Sequence, residues 1–143
     1  MVRAALTLFT DEPEGMTGND DLGTMSAWHV FSSIGIYPVI PGTGYFAITS
    51  PIFDRVELTL DETYYPAGEF VITAAGTTKE TRYIQSAELD GQTHEQGYIH
   101  NQDIRNGRQL DLTLGQDPST GKEGWATDDD AAPPSVLELK DTN

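Results

Sequence analysis

Hydrophobic positions follow two different periods, and the change falls near Pro41. Ahead of it they recur at helical spacing. Met25, Trp28, Phe31 and Ile34, with Val30 beside them, form one apolar face and predict a helix over Met25–Ile34. Thr24 is placed to cap it, and Gly35 and Pro38 to close it. Val2–Phe9 (VRAALTLF) is rich in helix formers and predicts an earlier helix. No capping residue precedes it, so the chain opens as if inside a helix and reads as the later part of a longer protein. Pro13 and Gly15 break that helix, and a loop runs to about Gly23.

Beyond the turn-rich segment Tyr37–Gly44 the period becomes two. Strands are predicted over Tyr45–Thr49, Arg55–Leu60, Phe70–Ala74, Tyr83–Leu89, Tyr98–His100, Arg108–Leu114 and Val136–Leu139. In the second, Val56, Leu58 and Leu60 share a face; in the sixth, Leu110, Leu112 and Leu114 point inward. Asp90-Gly91 is a tight-turn dipeptide. Short strands between turn signals predict a mainly β fold, an antiparallel β-sandwich-like region preceded by two helices. The division is residues 1–40 for the helices and their loop, and 41–143 for the β region. The helical face around Trp28 needs a cover, either the sandwich or a larger helical body.

Charge narrows the partners. Lys and Arg number 8 against 23 Asp and Glu, a net charge of −15. Nucleic acid and anionic membranes both select basic surfaces, so neither is expected as a partner. The acidic excess reads as a solvated surface that favours solubility, with a high-salt source as the alternative. With no Cys there are no disulfides, thiolate metal sites or cysteine nucleophile. No run approaches the roughly 20 apolar residues of a membrane span. The first residues also lack the apolar core and cleavage site of a secretory signal.

Candidate chemistry concentrates in Gly18–Trp28, GNDDLGTMSAW. Asn19, Asp20 and Asp21 stand in a glycine-flanked loop just before a helix, where a carboxylate can take a proton from water while an amide fixes its geometry. Acidic residues before a helix are also ordinary caps and dipole partners, and spacing alone does not separate the two readings. The loop is not an EF-hand, which needs acidic ligands at positions 1, 3 and 5, Gly at 6 and Glu at 12.

The stretch GNDDLGTMSAWHVFSSIGIYP resembles the signature near the C-terminus of glycoside hydrolase family 92, exo-acting α-mannosidases of which many cleave α-1,2 linkages. YFAITSPIFDRVEL, YIQSAELDGQ and YIHNQDIRNGRQLDLTLGQDPS resemble later family segments in the same order, so the likeness spans roughly residues 2–125. It implies calcium-dependent hydrolysis with inversion, at a site between an N-terminal β-sandwich and an (α/α)6 barrel. The two helices would then be the end of that barrel. Asp21 matches the family's general base. Two residues earlier the family often has a second acid; here Asn19 can orient a water but cannot take its proton. Asp20, between them, is a minor candidate. Inversion needs a second carboxyl roughly 6.5–9.5 Å away. The family's acid, a Glu, its sugar-holding residues and its calcium ligands all lie upstream of this motif. No metal site is therefore expected in this chain, and Glu12 and Glu14, in an exposed loop, are poor substitutes for the acid.

The implied protein is thus a calcium-dependent exo-α-mannosidase acting on an α-mannoside oligosaccharide or N-glycan. This chain would be its C-terminal part, would dock on the remainder of that enzyme, and would be inactive alone. Secreted or periplasmic placement follows from the resemblance only. The alternative is a non-catalytic sandwich module that stabilises an enzyme body or binds glycans. Trp28 could stack on a sugar or serve as core. His29 reads as a surface or structural hydrogen-bonding residue, His100 as a structural one, and His94 as a residue of a polar turn. Tyr64, Tyr65 and Trp125 could form a secondary carbohydrate platform, against ordinary packing.

Overall fold

The computed structural model describes residues 2–118 and 124–135. The first helix, α1 (Val2–Leu6), is shorter than its apolar run predicts. The amides of Thr7, Leu8 and Phe9 bond three residues back, to Ala4, Ala5 and Leu6, which tightens the turn and ends the helix. The Thr7 hydroxyl donates to the same Ala4 carbonyl, 2.7 Å away. Arg3 ties α1 to the β region, its guanidinium donating to the carbonyls of Pro51 and Thr78.

The second helix, α2 (Thr24–Ile34), ends as its sequence predicts. Gly35 takes φ 100° and donates its N–H to Phe31 O. Glycine is needed there for φ, and a Cβ would also crowd the Pro51 side chain at 3.1 Å. The chain turns directly into β1 (Ile36–Tyr37), too short for its alternation to be read. Next come β2 (Tyr45–Ile48), β3 (Arg55–Thr59), β4 (Glu69–Thr73) and β5 (Tyr83–Leu89). The Asp90-Gly91 turn leads to β6 (Gln92–Thr93). Last are β7 (Tyr98–His100), α3 (Asn101–Arg105) and β8 (Gln109–Gly115). The predicted strand Val136–Leu139 lies outside the described residues.

Two sheets result, a three-stranded one in the order β1-β2-β7 and a five-stranded one in the order β3-β4-β8-β5-β6. The mainly β class is as expected. All pairings are antiparallel except β4–β8, which run parallel with Ile72 opposite Leu110. The sheets share one core. Phe70, Ile72, Ala87, Leu89, Leu110 and Leu112 from the larger sheet meet Ile36, Ile48 and Ile99 from the smaller, with Ile104 of α3. The α2 face divides: Phe31 and Ile34 pack on this core, while Trp28 turns toward Phe9, just beyond α1.

The helix α3 escapes the apolar pattern because NQDIR holds one large apolar residue. Its start is fixed by side chains instead. His100 Nδ1 accepts from Gln102 N at 3.1 Å, and Asp103 Oδ2 accepts from His100 N at 2.9 Å. His100 is thus structural. His94 does more than fill a turn: its ring bonds Tyr98 O at 2.7 Å, and its carbonyl accepts from the Trp125 indole at 2.8 Å. Tyr65 and Trp125 pack against the core while Tyr64 is exposed, an arrangement of ordinary packing aromatics for the first two.

Candidate functional site

The loop between α1 and α2 is shaped by backbone conformation first. Asp21, Leu22 and Gly23 all have positive φ, 48°, 60° and 90°. Left-handed conformation is open to glycine but disfavours L side chains by roughly 1–2 kcal/mol per residue. Two consecutive non-glycine residues held there signal a constraint from their surroundings. Nothing lies within 4 Å of a Cβ built on Gly23, so that glycine serves φ and not close approach. Gly18 is not left-handed, and a Cβ there would make ordinary contact with Met25 at 3.5 Å.

The constraint comes from the first turn of α2. The residue before the helix is Gly23, without a side-chain cap, so Thr24 is the first helical residue and not the expected cap. Its N–H and hydroxyl both donate to Asp21 O, at 3.3 and 2.8 Å. Met25 N donates to Asp20 O at 3.1 Å. Asp20 supplies the missing cap across the left-handed run: its Oδ1 accepts from both the backbone N–H and the hydroxyl of Ser26, each at 2.8 Å. These bonds, the backbone one foremost, hold the Asp20 carboxyl below its ordinary range. The capping role open to the acidic residues of this loop therefore falls to Asp20.

Asp21 is left free. It is exposed, and its carboxylate has no hydrogen-bond or ion-pair partner among the described residues. Asn19 is exposed as well. Asn19, Asp20, Asp21 and Trp28 border one shallow cleft of about 290 Å3, closed by Leu8, Phe9, Met25 and Tyr37. Trp28 stacks on Phe9 at 5.9 Å between ring centroids, with a 19° interplanar angle, and is half-buried. His29 meets the same Phe9 ring at 4.6 Å. No Lys, Arg or His lines the cleft, so its carboxylates face no cation of the chain's own.

The two other acids of the loop point elsewhere. Gly15 N donates to Glu12 O and Thr10 N to Gly15 O, which makes 10–15 a tight tip. A Cβ on Gly15 would lie 2.1 Å from Thr10 O, so only glycine fits. Glu12 borders a separate hollow with His29 and Val30, and Glu14 is exposed. Among the described residues no three His, Asp or Glu side chains converge as a metal site. Calcium takes 6–8 oxygen ligands, and the cleft's donors do not make up such a set. Sequence reasoning overlooked Ser26; the available signal was its place in the first turn of α2, where a cap's hydrogen bond lands.

Residues 1–116 match the model of the glycosyl hydrolase family 92 catalytic domain. An uncharacterized secreted glycosidase of Arthroderma benhamiae is 31% identical over 132 residues, covering 90% of this chain and 16% of that protein. A family 92 α-mannosidase of Bacteroides thetaiotaomicron, also solved with mannoimidazole, superimposes with a TM-score of 0.81. It is 29% identical, and the match covers 94% of this chain and 17% of the enzyme. An inverting family 92 mannosidase of the same bacterium gives a TM-score of 0.73 at 36% identity, over 82% of this chain and 16% of that one. The chain thus spans about a sixth of the length of these relatives.

Proposed function

The chain belongs to glycosyl hydrolase family 92, and on that premise we propose that it supplies the general base of an inverting exo-α-mannosidase, Asp21. The carrying observation is the division of labour in the loop: Asp20 is consumed as a cap, while Asp21 is presented free at a cleft beside Asn19 and Trp28. In the reaction Asp21 removes a proton from a water as its oxygen bonds to the anomeric carbon. The glycosidic C–O bond breaks on the opposite side, and the leaving oxygen takes a proton from an acid. That acid belongs to the part of the enzyme outside this chain. Asn19 orients the water without accepting its proton. Trp28, held by Phe9, offers an apolar wall for a sugar face.

The substrate class, an α-mannoside, rests on the mannosidase relatives and on mannoimidazole binding by one of them. Restriction to α-1,2 linkages is inferred from the family resemblance. Calcium, in this reading, is held by residues elsewhere in the enzyme and no step here runs through it. Export is supported by the secreted relative. No helix among the described residues is long and apolar enough to cross a membrane.

A turnover series in the full-length enzyme tests the assignment. Loss of a general base lowers rate by about 10²–10⁴. Asp21→Asn should lower kcat by that much with KM little changed, Asn19→Ala less, and Asp20→Asn least. Near-normal turnover in Asp21→Asn, or equal damage from Asp20→Asn, would refute it.

A further inference from the structure

We propose that Ser26 is a positioning residue for the base: by gripping Asp20 with both its N–H and its hydroxyl, it sets where the Asp21 carboxylate stands. The inference rests on the reading of Asp21 as base.

An ordinary helix cap occupies the position just before the helix and needs no detour. Here that position is Gly23, and the capping carboxylate lies three residues further back. Between them the chain makes a left-handed loop through Asp21, Leu22 and Gly23. What the detour achieves is exposure. Asp21 projects to the cleft with its carboxylate unshared, and Leu22 stands fully exposed. Four of the five hydrogen bonds that join Asp20 and Asp21 to α2 use at least one backbone atom: Thr24 N and Oγ1 on Asp21 O, Met25 N on Asp20 O, and Ser26 N on Asp20 Oδ1. The fifth, Ser26 Oγ to Asp20 Oδ1 at 2.8 Å, joins two side chains and depends on sequence at both ends. It gives the Asp20 oxygen two donors and so fixes its direction. Asp20 is tied down at both its carbonyl and its side chain, and its direct neighbour in the chain is Asp21.

A merely structural role and a positioning role differ in what happens when the base is already gone. In the full-length enzyme, Ser26→Ala should lower kcat by roughly 10–10²-fold, the range a misplacement of about 1 Å produces, with KM within about twofold. Ser26→Thr keeps the hydroxyl and should restore kcat to within about threefold. Asp20→Asn keeps an acceptor oxygen and should be mild, whereas Asp20→Ala should match Ser26→Ala. The deciding measurement is the cycle with Asp21→Asn. If Ser26 acts through Asp21, adding Ser26→Ala to Asp21→Asn lowers the residual kcat by less than about twofold. A full, additive loss in that background overturns the proposal, as does a Ser26→Ala enzyme with unchanged kcat. Should Ser26→Ala fail to fold, the pair Asp20→Asn and Asp20→Ala carries the same cycle. Failure of the underlying reading shows separately, as near-normal turnover in Asp21→Asn alone.

Discussion

From Ile36 to Gly115 the strands contribute fully enclosed side chains, Phe70, Ile72, Ile99 and Leu110 at most 1% exposed, while Val39, Ile52, Phe53 and Tyr64 in the connections stay open. From Val2 to Ile34, Leu6 is the one buried apolar side chain, while Leu8, Leu22 and Val30 are largely open. The β region closes a core of its own. The helical segment spends its sequence differently, on a loop with consecutive left-handed residues and a carboxylate left without partners. Burial and candidate chemistry are thus segregated, and α2 is the element that belongs to both. Its C-terminal half packs on the core through Phe31 and Ile34, and its first turn holds the candidate base loop.

This contrast can be broken in order of decreasing effect. Truncating the core should be worst: Phe70→Ala is expected to lower unfolding free energy by about 3–5 kcal/mol, read by urea denaturation of the chain. Gly35→Ala attacks the junction, combining a left-handed φ with a tight contact to Pro51 at 3.1 Å. A loss of about 2–4 kcal/mol is expected in the same assay. By contrast, Val30→Ser and Leu8→Ser, on the open side, should each move the stability of the isolated chain by no more than about 0.5 kcal/mol. If either of these equals Phe70→Ala in effect, the helical segment carries a core that the structure does not show.

The smallest effect is a titration that compares the regions directly. Asp20 in the loop and Asp61 in the β3–β4 connection both have carboxyls held below their ordinary value of 3.8, chiefly by the amides of Ser26 and Thr63. Depressed carboxylates contribute stability above the unfolded value, and lose it as pH falls through the folded one. The Ser26 and Thr63 amide shifts should therefore each follow a titration whose midpoint lies below 3.8. A Ser26 amide with a titration midpoint above 3.8 would mean that the cap is not formed.

Much of the fold was legible in the sequence. Tyr83–Leu89 and Tyr98–His100 are strands residue for residue, because alternation and turn signals bound them sharply. What was not legible has tertiary causes. The parallel pairing of β4 with β8 joins segments whose local patterns say nothing about each other. The helix α3 stands on the His100 and Asp103 cap instead of an apolar face. At the site, the motif singled out Asn19, Asp20, Asp21 and Trp28, and these four border one cleft. The resemblance already matched Asp21, and not Asp20, to the base; what the spacing could not show is that Asp20 caps α2 through Ser26. That cap spans a left-handed run through Asp21 and Leu22; Asp adopts positive φ more readily than most residues, but Leu gives no warning of it.

The central claim, that Asp21 takes a proton from the attacking water, has a direct test in nucleophile rescue. Azide is anionic and needs no deprotonation, so it bypasses a missing base while still requiring the acid and the bound sugar. In the full-length enzyme carrying Asp21→Asn, azide should restore α-mannoside cleavage and yield the inverted β-mannosyl azide, identifiable by its anomeric NMR coupling. Asp20→Asn should gain nothing from azide. Cleavage by Asp21→Asn that is already near normal without azide, or rescue confined to Asp20→Asn, would contradict the account.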